Sequence, residues 1–139
     1  MAPLISIVDD DKAVRDALQR MLRSHGFSTV VFASAEQFLS QTKSHQAACL
    51  VLDVRMPGMT GLALHDYLIS ADCRIPTILI TACPTGDERR RAIAGGVAAY
   101  LAKPLSEPVL LDAIRRTLED GERDEGSGGL PGPNRRSGD

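Results

Sequence analysis

The chain has 139 residues, which is the size of one ordinary domain. Acidic and basic residues are equal in number over the first 119 positions, so nucleic-acid binding driven by bulk charge is not expected. No apolar run approaches the roughly 20 residues of a membrane span, and no signal-peptide pattern opens the chain. The three cysteines have no CxxC spacing, which argues against a disulfide framework or a zinc site and predicts a reducing, cytoplasmic location.

The last twenty residues differ in composition from the rest. Residues 120–139 hold six of the twelve glycines and a single large apolar side chain, Leu130. Such a segment cannot bury enough apolar surface to offset its conformational entropy. The sequence therefore predicts one domain over residues 1–119 and a disordered, Gly/Pro-rich tail or linker over residues 120–139.

Five short apolar runs alternate with stretches of helical period. The runs are residues 4–8, 29–32, 49–52, 77–80 and 98–101. Mostly aliphatic and β-branched, without polar alternation, they are typical of strands covered on both faces. The apolar positions of helical period are Val14, Leu18, Met21, Leu22, Ala35, Phe38, Leu39, Thr42, Leu64, Leu68, Ala71, Leu111, Ile114 and Leu118. Residues 85–95 give the weakest helix, with only Ala92 and Ile93 to bury. Five β–α units predict an α/β fold with a doubly wound, open parallel sheet and helices on both faces.

Polar residues follow four of the five runs, at the edge of such a sheet where ligands bind. They are Asp9, Asp10 and Asp11 after the first run, Asp53 after the third, Thr81 after the fourth and Lys103-Pro104 just past the fifth. Clustered carboxylates repel one another unless a cation neutralises them, and oxygen ligands that leave room for water suit Mg²⁺. A carboxylate between that metal and Lys103 is suited to attack a phosphoryl group, with the Thr81 hydroxyl beside it.

These residues stand in recognisable motifs. The motifs are Ile7-Val8-Asp9-Asp10, Asp53-Val54-Arg55-Met56-Pro57-Gly58, Ile80-Thr81-Ala82 and Tyr100-Leu101-Ala102-Lys103-Pro104. In this order they resemble the full motif set of receiver domains from bacterial two-component response regulators, over about residues 3–119. The form around Asp53 is most similar to the branch that carries a helix-turn-helix output domain.

The resemblance implies a role for each matching residue. Asp53 is the phosphoacceptor, Asp9 and Asp10 form the acid pocket for Mg²⁺, Arg55 offers its backbone carbonyl to the metal, Thr81 and Tyr100 are the switch pair, and Lys103 contacts the phosphate. It also implies a flavodoxin-like strand order of 2-1-3-4-5. We further predict a cis peptide bond before Pro104, where cis geometry costs only about 0.5–1 kcal/mol, because Lys103 must turn back toward the crevice.

The expected function is that of a phosphorylation-activated receiver rather than a conventional enzyme. A sensor histidine kinase donates the phosphoryl group to Asp53, the receiver slowly removes it, and the phosphate changes partner or homodimer contacts through residues 85–119 in transcription-linked signalling. No membrane or direct nucleic-acid contact is expected. Two alternatives stay open: a pseudo-receiver that binds partners without phosphorylation, and an aspartyl-nucleophile phosphatase, which is weak because Arg55 occupies the place of its usual general acid.

Several residues have simpler interpretations. Asp11 is expected at a solvated helix start, and Arg89, Arg90 and Arg91 on a solvated face. Tyr100 could also be an ordinary, half-buried aromatic residue of a strand rather than a member of the switch pair. His25, His45 and His65 are expected at the surface, away from the crevice.

Overall fold

A computed structural model describes residues 2–41 and 46–127, with side chains described up to residue 121 in the last helix. Within these residues, five strands alternate with five α-helices. They are β1 (Leu4–Val8), α1 (Lys12–Ser24), β2 (Ser28–Phe32), α2 (Ala35–Leu39), β3 (Cys49–Asp53), α3 (Gly61–Ser70), β4 (Thr77–Thr81), α4 (Gly86–Ala94), β5 (Ala99–Ala102) and α5 (Glu107–Ser127).

The strands form one parallel sheet in the order β2-β1-β3-β4-β5. This confirms the predicted fold class and the strand order of 2-1-3-4-5. The order reverses between β1 and β3, where Val8 pairs with Leu52. In open α/β sheets the ligand crevice lies beyond the carboxyl ends of the strands at this reversal.

Apolar side chains cover both faces of the sheet. Along β3, Cys49 and Val51 join one cluster, with α1 and α5, while Leu50 and Leu52 join the other, with α2, α3 and α4. Every residue of β3 and β4 is buried. Burial on both faces explains why these strands are continuous apolar runs in the sequence.

Short polar side chains begin four of the helices. The Asp11 carboxylate accepts hydrogen bonds from two backbone N–H groups of α1, so Asp11 is the helix cap expected from the sequence. Ser34, Thr60 and Thr85 do the same for α2, α3 and α4. At the end of α1, Gly26 has a φ of +91°, a conformation that glycine adopts without steric cost.

Some details differ from the prediction. Ala71 lies just past the end of α3 and is exposed, because the helix stops one residue earlier. Ile93, expected to be buried, is 49 % exposed, so Ala92 is the one buried residue of α4. The predicted helical position Thr42 lies outside the described residues.

The last helix extends beyond the predicted end of the domain. It continues to Ser127, eight residues past Glu119, although the sequence there is rich in charge and glycine. Each residue added to an existing helix gains a backbone hydrogen bond, so extension does not require an apolar face. Residues 120–127 thus belong to α5, the disorder of the tail stays a prediction, and residues 128–139 lie outside the described residues. Within the described part of the chain, no helix is long and apolar enough to cross a bilayer.

Candidate functional site

The carboxyl edge of the sheet brings four of the predicted site residues together. Asp9 directly follows β1, Asp53 ends β3, Thr81 ends β4, and Lys103 directly follows β5. Backbone hydrogen bonds fix these positions: the N–H of Asp9 donates to Phe32, and that of Lys103 donates to Thr81 at 2.8 Å. The sheet itself therefore fixes the backbone of the site.

Three carboxylates converge at this edge. Asp9, Asp10 and Asp53 each place one oxygen within 4.8 Å of the others. Asp9 and Asp53 are buried, whereas Asp10 is exposed and lies on the solvent side. Asp11 is absent from this cluster because its carboxylate caps α1. The place of Asp11 at the start of α1 is thus confirmed, while the metal-binding roles of Asp9 and Asp10 stay predictions.

Lys103 is the cation nearest to the cluster among the described residues. Its Nζ lies 2.8 Å from Asp9 Oδ2 and 3.4 Å from Asp53 Oδ1. Burial lowers the pKa of Lys103, but the two carboxylates outweigh that effect and raise its pKa above the usual value. The Lys103–Pro104 peptide bond is cis, as predicted.

One lysine does not balance three carboxylates. Burial raises the pKa of Asp53 to about 6, the neighbouring Asp9 charge adds to the rise, and Lys103 opposes it. Asp9 Oδ2 is fully buried and, besides the ion pair with Lys103, makes no hydrogen bond within the described residues. Such an under-satisfied set of oxygen ligands fits a hard divalent cation that keeps some of its water, as Mg²⁺ does.

Two glycines shape the chain beside Asp53. A Cβ on Gly61 would lie 2.3 Å from the Asp53 carbonyl oxygen, so only glycine lets α3 begin this close to β3. Gly58 has a φ of +77°, which confirms the turn predicted from Met56-Pro57-Gly58. The Glu36 carboxylate accepts a hydrogen bond from the Met59 N–H at 3.0 Å and steadies that turn. Neither Gly61 nor Glu36 was predicted. For Gly61 the available signal was a glycine directly after a helix-capping threonine.

Thr81 and Tyr100 lie on adjacent strands, with both side chains buried. The Thr81 hydroxyl accepts from the Cys83 N–H at 3.1 Å. The Tyr100 hydroxyl donates to Glu88 Oε1 at 2.5 Å and accepts from the Thr85 N–H at 3.2 Å. The Tyr100 hydroxyl is therefore bonded to the first turn of α4 and to the loop before it.

Arg55 contributes more than the sequence indicated. Its N–H donates to Asp53 Oδ1 at 3.4 Å, so its backbone lies beside the predicted phosphoacceptor. Its guanidinium lies 3.3 Å from Glu88 Oε2 and donates to the Cys83 carbonyl at 3.5 Å. No sequence pattern indicated the contact with Glu88, because the two residues lie on different β–α units.

The remaining sequence predictions have mixed outcomes. Arg89, Arg90 and Arg91 are exposed, as expected for a solvated face. His25 is exposed, as predicted, and its Nε2 lies 2.8 Å from Glu107 Oε2. The prediction that His65 lies at the surface is wrong: this residue of α3 is buried on the side of the helix that faces the end of α4. Leu64 and Leu68 beside it on α3 turn that face of the helix into the core. His45 lies outside the described residues.

Comparison with known proteins agrees with this geometry. Residues 5–115 match the family model described as the response regulator receiver domain. Nodulation protein W of Bradyrhizobium diazoefficiens is 37 % identical over 116 residues, which cover 84 % of this chain and 51 % of that protein. The response regulator protein TodT of Pseudomonas putida is 40 % identical over 118 residues, covering 85 % of this chain and 52 % of that protein.

A solved structure is also similar. The response regulator StyR matches with a TM-score of 0.82 and 40 % identity, over 92 % of this chain and 65 % of that one. The chain spans about half the length of the curated relatives that it matches.

Proposed function

Because the chain belongs to the receiver domains of response regulators, which are signalling domains, we propose that Asp53 is its phosphoacceptor. The observation that carries the proposal is the position of the Asp53 carboxylate. It is buried at the carboxyl edge of the sheet, 3.4 Å from the Lys103 ammonium and within 4.8 Å of two further carboxylates. A nucleophile, a cation and a set of hard oxygen ligands thus share one crevice.

Asp53 attacks as the carboxylate. With a pKa raised to about 6 it is mostly ionised at neutral pH, and burial leaves it poorly solvated. A carboxylate oxygen forms a bond to phosphorus while the bond from phosphorus to the donor breaks. With a histidine kinase as donor, the imidazole nitrogen of the phosphohistidine keeps the electron pair of the broken P–N bond.

Lys103 stabilises the transferred group. Its ammonium is held between Asp9 and Asp53, so it already lies where the negative oxygens of the phosphoryl group would accumulate. Asp9, Asp10 and Asp53 would hold Mg²⁺ through carboxylate oxygens, together with the Arg55 backbone carbonyl. When bound, the metal neutralises the carboxylates and the incoming phosphoryl charge. A water molecule in line with the new acyl phosphate would later hydrolyse it.

The signal passes through Thr81 and Tyr100. The Thr81 hydroxyl accepts a hydrogen bond from the Cys83 N–H in its own loop and can still donate one. A phosphoryl oxygen on Asp53 would accept from that hydroxyl and draw the loop toward Asp53. Movement of the loop over residues 81–85 would change the surface of residues 85–119, where we place a partner or a second copy of the chain. The similarity to regulators such as TodT supports a link to transcription in the whole protein.

Phosphorylation with acetyl phosphate and Mg²⁺ tests the proposal. Intact mass should show one added phosphoryl group on the wild type and none on Asp53→Asn. Asp11→Asn is the matched control, since it neutralises an adjacent carboxylate outside the cluster, and it should still accept the group.

Two outcomes would contradict this. Labelling of Asp53→Asn to the wild-type extent would place the acceptor elsewhere. A wild-type protein that accepts nothing, from acetyl phosphate or from a histidine kinase, would favour a receiver that works without phosphorylation. The phosphatase alternative has no support at this site, because the Arg55 side chain is a cation engaged with Glu88.

A further inference from the structure

Glu88, in the first turn of α4, joins two parts of the molecule through one carboxylate. Its Oε1 accepts the hydrogen bond from the Tyr100 hydroxyl, and its Oε2 lies 3.3 Å from the Arg55 guanidinium. Only 11 % of the Glu88 side chain is exposed, against 54 % for Arg55. The carboxylate is thus largely removed from water, and each oxygen has its own partner.

Both partners of Glu88 lead to functional parts of the proposed receiver. Arg55 stands two residues after Asp53 and donates its N–H to the Asp53 carboxylate. Tyr100 accepts from the Thr85 N–H, and the Thr85 hydroxyl accepts from the Glu88 N–H at 3.0 Å. Glu88 therefore connects the loop after Asp53 to the beginning of α4.

We infer, on the basis of the proposed function, that Glu88 is a positioning residue that retains the Arg55 guanidinium and Tyr100 while Asp53 is unphosphorylated. A phosphoryl group on Asp53 adds negative charge close to Arg55 and competes with Glu88 for its guanidinium. Without Arg55, this mostly buried carboxylate loses the ion pair that offsets its desolvation, and it moves toward water. Tyr100 then loses its acceptor, and the first turn of α4 is released.

An ordinary surface salt bridge is the simpler interpretation, and such pairs contribute little. The neighbouring pair of Arg90 and Asp87 is of that kind, because both side chains are mostly exposed and both belong to α4. Glu88 differs from Asp87 in being largely buried, in linking two β–α units and in accepting a hydrogen bond from a buried tyrosine. The two adjacent acids therefore provide a matched comparison.

The first test is the rate of phosphorylation by acetyl phosphate at saturating Mg²⁺. Glu88→Gln keeps the shape of the side chain and an oxygen that accepts from Tyr100, but it has no charge to retain Arg55. The rate should rise about two- to five-fold, as expected from the loss of one partly exposed ion pair. Asp87→Asn removes the same charge one residue earlier and should leave the rate unchanged.

Arg55→Ala tests whether Glu88 acts on the rate through Arg55. If Glu88 acts by retaining Arg55, Glu88→Gln should have no further effect on the rate in an Arg55→Ala background. An equal acceleration in that background, or an equal acceleration by Asp87→Asn, would overturn the inference. The cause would then be the general loss of negative charge near an anionic donor.

A second measurement needs no phosphorylation. The chain has two tyrosines, so ¹³C-labelled tyrosine gives one set of ring signals for Tyr100 and one for Tyr67 on α3. Glu88→Gln and Glu88→Ala should shift or broaden the Tyr100 signals and leave those of Tyr67 unchanged. Unchanged Tyr100 signals in both variants would overturn the role of Glu88. If the wild type accepts no phosphoryl group, the proposed function fails, while this measurement still tests the contact.

Discussion

Helices α4 and α5 lie on opposite faces of the sheet beside β5, yet they are held in different ways. Helix α5 buries Leu110, Leu111 and Ile114 in the cluster that it shares with α1. Helix α4 buries only Ala92, and its Ile93 is half exposed. In place of an apolar face, α4 has polar contacts at its first turn, where Glu88 meets Tyr100 and Arg55.

From this difference we predict which helix would respond to a phosphoryl group on Asp53. Apolar burial is non-directional and is lost only when a side chain leaves the core. A contact made by one carboxylate is lost when another charge takes its partner. If Asp53 is phosphorylated as proposed, we therefore expect the new charge to displace α4 at low cost and to leave α5 with the core.

The largest effect expected from this comparison is on stability. Ile114→Ala in α5 should lower the free energy of unfolding by about 2–4 kcal/mol, because the Ile114 side chain is fully buried and its removal leaves a cavity. The identical change Ile93→Ala in α4 should cost less than about 0.5 kcal/mol. Urea unfolding of both variants measures the difference, and equal losses would refute the comparison of the two helices.

A second, smaller effect on the free energy of unfolding is expected from the buried charge of Asp53. Without Mg²⁺, Asp53→Asn should raise the free energy of unfolding at pH 7 by about 1–3 kcal/mol, since one pKa unit corresponds to about 1.4 kcal/mol. The pKa of Asp53 is raised from 3.8 in the unfolded chain to about 6 in the fold. The wild type therefore loses stability as the pH rises from about 4 through about 6. Above about pH 6 the folded protein bears the full cost of the ionised Asp53 carboxylate.

Urea unfolding in EDTA at several pH values checks this prediction. The advantage of the Asn variant should disappear near pH 4, where both proteins carry a neutral side chain. Adding Mg²⁺ at pH 7 should also reduce it, because the metal stabilises the wild-type carboxylates. A destabilised Asn variant at pH 7 would show that the Asp53 charge is well compensated in the metal-free protein.

Sequence reasoning was most successful where periodicity and strand ends decide the outcome. The strands are apolar runs because both faces of the sheet are covered, and parallel strands necessarily bring Asp9, Asp53 and Lys103 to one edge. For these residues, local pattern and global fold give the same answer. The sequence did not predict that Asp53 is buried and Asp10 exposed.

Contacts between distant side chains could not be predicted in this way. The pairing of Arg55 with Glu88 depends on how the loop after β3 approaches α4, and no local pattern records that approach. The extent of α5 past Glu119 could not be predicted from periodicity, because residues 120–127 contain no apolar side chain that would mark a buried face. The burial of His65 was missed because the prediction followed the polar type of the residue, although Leu64 and Leu68 beside it mark the buried face of α3.

His65 provides the smallest and most local test of how α4 is held. It is buried on α3, and its Nδ1 would lie 3.9 Å from a Cβ on Gly95, at the end of α4. Burial lowers the pKa of His65, while the adjacent Asp66 charge opposes that shift. In the unfolded chain this histidine has its ordinary pKa of 6.5, so the unfolded chain takes up the proton before the folded chain does. Stability linked to His65 is present above pH 6.5 and is lost as the pH falls toward the lower folded pKa.

Asp53 titrates in the same range with the opposite sign, so the measurement belongs in an Asp53→Asn background. From about pH 8 to about pH 5, that variant should lose stability, and adding His65→Gln should make the curve flatter. Hydrogen exchange in the same range should increase at the end of α4, near the protonated imidazole of His65, and not along the buried turns of α5. An increase confined to α5, or a curve that His65→Gln leaves unchanged, would show that this buried histidine does not hold the end of α4.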